Sequence, residues 1–161
     1  MDLFGNPDSR DNGRRFVSRD TSPGKWYEHV IGLALKLGEY EVSAQETIGR
    51  RLGASPHIVD YVARSDDHRV LVSSKWQSRS STGGPGSGED KLLYEILTLG
   101  EVLAERADFA RACIVLGGMG FTLGKLNWFL QGAYRQRVLH SERVECLRTD
   151  EFLERVFRHK L

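Results

Sequence analysis

The chain has 161 residues, 28% of them charged and 40% hydrophobic, with a formal net charge of +1. That length and balance suit one folded domain whose core needs no disulfide or metal staple. No apolar run approaches the length of a membrane span and the N-terminus shows no apolar signal region, so a membrane partner and export are not expected and the setting reads as cytoplasmic.

Residues 1–22 are rich in Asp, Arg, Asn, Ser and Gly without an apolar period, and read as a flexible or irregular arm ahead of a single domain over 23–161. Ser22-Pro23 offers a helix start, and Trp26, Val30, Leu33, Ala34 and Leu37 recur at helical spacing until Gly38. Residues 40–46 are a candidate strand. Stretches 57–64 and 68–77 flank the polar turn Ser65-Asp66-Asp67 and read as a hairpin. The Gly/Ser-rich run 78–88 has too little apolar content to pack and is expected to be mobile. An amphipathic helix follows over 89–106, with Leu92, Leu93, Ile96, Leu99 and Leu103 along one stripe.

Residues 110–116 form a continuous apolar run, as in a buried strand. A helix is expected over 123–136, a short strand over 144–147, and a last helix to Arg158 with Thr149 as its cap. The order predicts a mixed α/β sheet flanked by helices on both sides. Cys113 and Cys146 sit in apolar segments without CxxC spacing and read as buried free thiols. Arginines and lysines crowd the first 25 and the last 27 residues, mixed with acids, a layout that suits either a phosphate-binding face or ordinary solvated charge. His29, His57, His68, His140 and His159 lack ligand spacing and read as surface or edge residues. Gly117-Gly118-Met119-Gly120 is not a dinucleotide fingerprint, because position 123 is Leu.

Chemistry is concentrated on the hairpin. Alternation along a strand puts Ser73, Lys75 and Gln77 on one face, and Asp60 sits mid-strand between Val59 and Tyr61. An acid and a lysine among apolar strand residues are costly to bury unless they are paired or bound to a metal. A structural Asp60–Lys75 salt bridge is the plain alternative to a catalytic pair.

These residues resemble the PD-(D/E)xK nuclease superfamily, which places an Asp on one hairpin strand and an acid-x-Lys on the next. Asp60 matches the first position and Lys75 the lysine, while the second acid is replaced in Ser73-Ser74-Lys75. The pattern is similar to a variant with Ser-x-Lys on the strand and the missing carboxylate on the next helix, fourteen positions after the lysine. That position is Glu89 here, with Asp90 beside it as an alternative. The resemblance spans roughly residues 26–152 and implies the restriction endonuclease-like core order αβββαβ.

The resemblance further implies a Mg²⁺-dependent endonuclease acting on DNA, with Mn²⁺ as a substitute ion. Asp60, Glu89 and the Ser74 carbonyl would hold the metal, joined by Glu28 from the first helix; Lys75 would serve the attacking water, and Gln77 would hold the lysine or a phosphate oxygen. A double-strand cut needs two sites, so a homodimer or higher assembly is expected. A junction resolvase or repair nuclease, and a silent nuclease fold that binds DNA or a protein, are the competing expectations. Contact with DNA is expected from the N-terminal arm, the 78–88 loop and the segment 125–137.

Overall fold

The computed structural model describes residues 23–51, 54–78 and 88–161. In chain order these form α1 (Pro23–Leu37), β1 (Glu41–Arg50), β2 (Pro56–Ser65), β3 (His68–Trp76), α2 (Gly88–Glu105), β4 (Arg111–Gly117), α3 (Leu123–Leu130), a 3₁₀ turn (Ala133–Gln136), β5 (Val144–Arg148) and α4 (Thr149–Phe157). The strands make one sheet in the order β1-β2-β3-β4-β5. β1, β2 and β3 pair antiparallel, whereas β3, β4 and β5 run parallel. The expected αβββαβ order and mixed sheet are therefore both present. The expected arm over 1–22 and most of the 78–88 loop lie outside the described residues.

Alternation along the strands divides the core into two layers. Leu71, Ala112, Ile114 and Leu116 pack with Leu92, Ile96, Leu99 and Leu103 of α2 on one face. Val70, Val72, Cys113 and Val115 pack with Tyr27, Ile31 and Leu35 of α1 and Phe152 and Val156 of α4 on the other. β4 reads as an unbroken apolar run because both of its faces are covered. Each fully buried aliphatic side chain contributes about 1.5–3 kcal/mol by leaving water, and the sheet centre is dense with them. Cys113 and Cys146 are buried free thiols, as expected, and burial pushes each up to about 12.

Three expectations need correction. The helix expected over 123–136 stops at Leu130, because the chain turns through Gly132 at φ 70° before the 3₁₀ segment. Thr149 is the first residue of α4, and Arg148 is its N-cap. The Thr149 hydroxyl instead meets Tyr27 Oη at 2.7 Å, tying α4 to α1 across the ends of the parallel strands. β1 also runs four residues further than expected, to Arg50, and holds a non-glycine residue in the left-handed region, Gln45 at φ 53°. No helix among the described residues is long and apolar enough to cross a membrane.

Candidate active site

The site lies where β2 separates from β3. The two strands pair from the turn, Ser65 with His68, up to Tyr61 with Val72, and no further. Residues before Tyr61 pair with β1 alone. Where the ladder would have continued, the Asp60 side chain takes over: its Oδ2 accepts from the Ser74 backbone N at 2.7 Å and from Ser74 Oγ at 3.0 Å. A carboxylate thus satisfies a strand amide that lost its partner strand. Asp60 is half-buried, and its pKa is raised above its ordinary value. Burial is the main cause; the Ser74 backbone N–H and the Lys75 charge oppose it, while the negative charge of Glu28 adds to it.

Ser73 and Lys75 point to the other face, as alternation from Leu71 requires, and both reach one side chain. Ser73 Oγ donates to Glu95 Oε1 at 2.9 Å, and Lys75 Nζ stands 3.6 Å from the same oxygen. Glu95 projects from α2 between the buried Leu92 and Leu99, and only 6% of the residue is exposed. His57 Nε2 lies 3.8 Å from Glu95 Oε1, and His57 is fully buried. Burial pushes the Glu95 carboxyl up, but the His57 ring, the Lys75 charge and the Ser73 hydroxyl together outweigh it and bring the pKa down to about 2. Glu95 is therefore an anion at any ordinary pH.

Neither Glu95 nor His57 was among the residues expected here. Glu95 carries a readable signal, since it interrupts the Leu92–Ile96–Leu99 stripe at an inward position of the helix. His57 is not the surface or edge residue its spacing suggested. Only its place beside the apolar Ile58 and Val59 hinted at burial.

The remaining expected residues are spread around this centre. Glu89, in the first turn of α2, meets Lys125 Nζ of α3 at 3.1 Å. It borders an apolar groove of about 330 Å³ with Leu93, Gly124, Trp128 and Phe129. Asp90 is exposed. Gln77 follows β3; its backbone N donates to the Gly117 carbonyl at 3.0 Å and its carbonyl accepts from Gly120 N at 2.9 Å. The Gln77 side chain packs over Gly88 and Gly120. Glu28 on α1 accepts from Gln45 Nε2 at 2.8 Å and Lys25 Nζ at 3.3 Å. Its backbone carbonyl takes the Tyr61 hydroxyl at 3.0 Å. Gly32 allows that approach, because a Cβ there would fall 2.5 Å from the Tyr61 ring.

Of the cations considered for DNA contact, several serve the fold itself. Arg143 donates to the Phe109 and Leu103 carbonyls, Arg155 pairs with Glu145 and Glu151, and Arg135 donates to the Val144 carbonyl. A larger crevice of about 760 Å³ opens beyond the ends of β4 and β5, lined by Gly118, Met119, Phe121, Leu123, Arg148 and Thr149 among others. It begins one strand away from Lys75, whose register partner on β4 is Leu116.

The donors at the site are hard oxygens: the carboxylates of Asp60, Glu28 and Glu95 and the carbonyls of β3. Among the described residues, no three His, Cys, Asp or Glu side chains come together as a ready-made metal cage. Mg²⁺ needs no such cage, since it takes one or two carboxylates and completes its shell with water. Asp60 carries a negative charge that burial disfavours and Glu28 opposes, a condition that a nearby cation relieves. The donor set fits a small divalent cation.

A mixed five-stranded sheet flanked by helices, with an acid and a lysine where two antiparallel strands part, defines the restriction endonuclease-like class of fold. The sequence model of the PD-(D/E)XK nuclease superfamily domain matches residues 19–160, and the chain belongs to that superfamily. Its members typically use divalent metals, and nucleic acid is the partner such a domain takes. No curated protein matches the chain significantly. A solved crystal structure of a protein of unknown function, AF1548, is similar with a TM-score of 0.47 and 14% identity, covering 83% of this chain. The match spans 64% of that protein's length.

Proposed function

We infer that this nuclease is a Mg²⁺-dependent endonuclease of restriction type, cutting phosphodiester bonds in duplex DNA as a homodimer or higher assembly. The observation that carries this reading is the meeting of Ser73, Lys75 and Glu95 on one face of β3, beside Asp60 held by Ser74. In this reading Glu95 supplies the carboxylate that the Ser-x-Lys strand lacks. Glu89 stands fourteen positions after Lys75 and Glu95 twenty, but it is Glu95 that touches Ser73 and approaches the lysine.

Asp60 and the Ser74 carbonyl would hold the metal, with Glu28 joining from α1. When bound, the ion supplies Lewis acidity at the phosphate and makes its water acidic. Lys75 holds the attacking water by its Nζ and offsets the negative charge that grows on the phosphate oxygens. Glu95, an anion 3.6 Å from Lys75 Nζ, keeps that lysine aimed. Ser74 fixes Asp60 through two hydrogen bonds, so the carboxylate needs little reorganisation when a cation arrives. Two copies are required to cut both strands, which is the reason for the assembly.

The test is cleavage of supercoiled plasmid with and without Mg²⁺, comparing wild type with Asp60→Ala, Lys75→Ala, Glu95→Ala and Glu89→Ala. Magnesium-dependent cutting at defined places, lost in the first three variants, is the expected result. Cutting confined to branched DNA would replace the restriction reading with a resolvase or repair role. Binding of DNA without cleavage of any form would mark a silent fold.

A further inference from the structure

β1 departs from strand geometry at Gln45. Its φ of 53° lies in the left-handed region, which glycine enters freely and a residue with a Cβ enters at a cost. The register locates the departure. Ala44 pairs with Tyr61 and Glu46 with Val59, so Gln45 falls opposite Asp60. Gln45 is exposed and gains nothing from burial. What its side chain makes is a single directed contact, Nε2 to Glu28 Oε1 at 2.8 Å. Strain kept at an exposed position, beside a site acid and spent on one hydrogen bond to another, is the pattern of a group held for use.

Glu28 is also held from two other directions, one at its backbone and one at its carboxylate. Tyr61, the neighbour of Asp60 on β2, donates its hydroxyl to the Glu28 carbonyl, and Lys25 meets Glu28 Oε2. Glu28 therefore stands beside both Gln45, which lies opposite Asp60 in the β1–β2 register, and Tyr61, the residue that follows Asp60 on β2. Two acids on separate elements are thus held within electrostatic reach of each other.

We propose that Gln45 is a positioning residue: its left-handed backbone aims its amide at Glu28 and holds that carboxylate toward Asp60, so that α1 and β2 together present one cation-binding edge. This rests on the reading in which Asp60 and Glu28 serve a divalent cation. A purely structural tie between β1 and α1 makes the opposite forecast. Under it, losing the amide lowers stability and leaves metal affinity alone.

The experiment is a Mn²⁺ titration by calorimetry, with melting of the metal-free protein, for Gln45→Gly, Gln45→Asn, Glu28→Gln and Asp60→Asn. Glycine relieves the strained φ; asparagine tolerates it but is one methylene too short to reach Glu28. Both Gln45 variants should melt no lower than wild type yet bind Mn²⁺ about tenfold more weakly. Their cleavage should be slow at low metal and recover at saturating metal. Mn²⁺ affinity within about twofold of wild type in both Gln45 variants, alongside weaker binding in Glu28→Gln, overturns the inference and leaves the site reading intact. Unchanged affinity in Glu28→Gln removes Glu28 from the site and the inference with it.

Discussion

The two ends of the sheet both gather charge, and they treat it in opposite ways. Where β3 and β4 begin, Arg69 pairs with Glu46 at 3.0 Å and Asp108 at 2.6 Å, Arg106 pairs with Asp108 at 2.7 Å, and both guanidinium groups lie over the Phe109 ring. Where β2 and β3 part, Asp60 is answered by the hydroxyl and amide of Ser74, and Lys75 is shared with Glu95. Two aspartates show the contrast most directly. The Asp108 pKa is held down, first by its hydrogen bond from Arg106, whereas that of Asp60 is pushed up, first by burial. At the first end charge serves the fold. At the second, the Asp60 charge is held at the fold's expense, a pattern that clusters at functional sites.

The sharpest way to break this comparison is Asp60→Asn. The change keeps shape and lets the side-chain oxygen still accept from Ser74. If Asp60 is a metal ligand, cleavage should fall by about 10²–10³. Stability should move the other way. An acid whose folded pKa is raised costs stability once pH rises past its unfolded value, so the neutral variant should melt at or above wild type at pH 7. A fall in melting temperature with retained plasmid cutting would make Asp60 a structural acid like Asp108.

Next in size is the choice between helix carboxylates. Glu95→Gln should lower cleavage about a hundredfold, and Glu89→Gln should change it far less, because Glu89 pairs with Lys125. Quantifying initial cutting rates of the two variants side by side decides it. Equal losses would widen the site to include the first turn of α2. Smaller again is Arg69→Ala, which removes two ion pairs and a cation–π contact from a side chain that is 23% exposed. It should cost about 1–2 kcal/mol of stability, read by urea unfolding, and leave cleavage unchanged.

Element order was readable because the periods are strong: a helical stripe in α1 and α2, an apolar run in β4, and a hairpin marked by two aspartates at its turn. Asp60 and Lys75 were readable as misplaced polar groups on apolar strands. Glu95 was obscured by counting. Spacing along the chain favoured the fourteenth position after Lys75, yet the 78–88 stretch separates strand from helix, so residue number is a poor ruler for which helix turn faces β3. The better guide was chemical, an acid inside an apolar stripe. The left-handed Gln45 and the full burial of His57 are not encoded in any local pattern of the sequence.

The smallest effect is a pH dependence that tells the two ends apart. Glu95 has a folded pKa of about 2, below its ordinary 4.5. Its anion therefore contributes stability that is complete above pH 4.5 and lost as pH falls toward 2. Asp108 behaves in the same sense, since its folded pKa is also depressed, although its exposure leaves it a minor contributor. Asp60 has the opposite sign: its protonation on acidification favours the folded chain. Melting curves from pH 7 to pH 3 should show wild type losing stability, and Glu95→Gln should flatten part of that loss. Asp60→Asn should steepen it, because an acid that gains from protonation has been removed. An acid limb unchanged by Glu95→Gln would mean that its contacts with Ser73 and Lys75 contribute no net stability in solution.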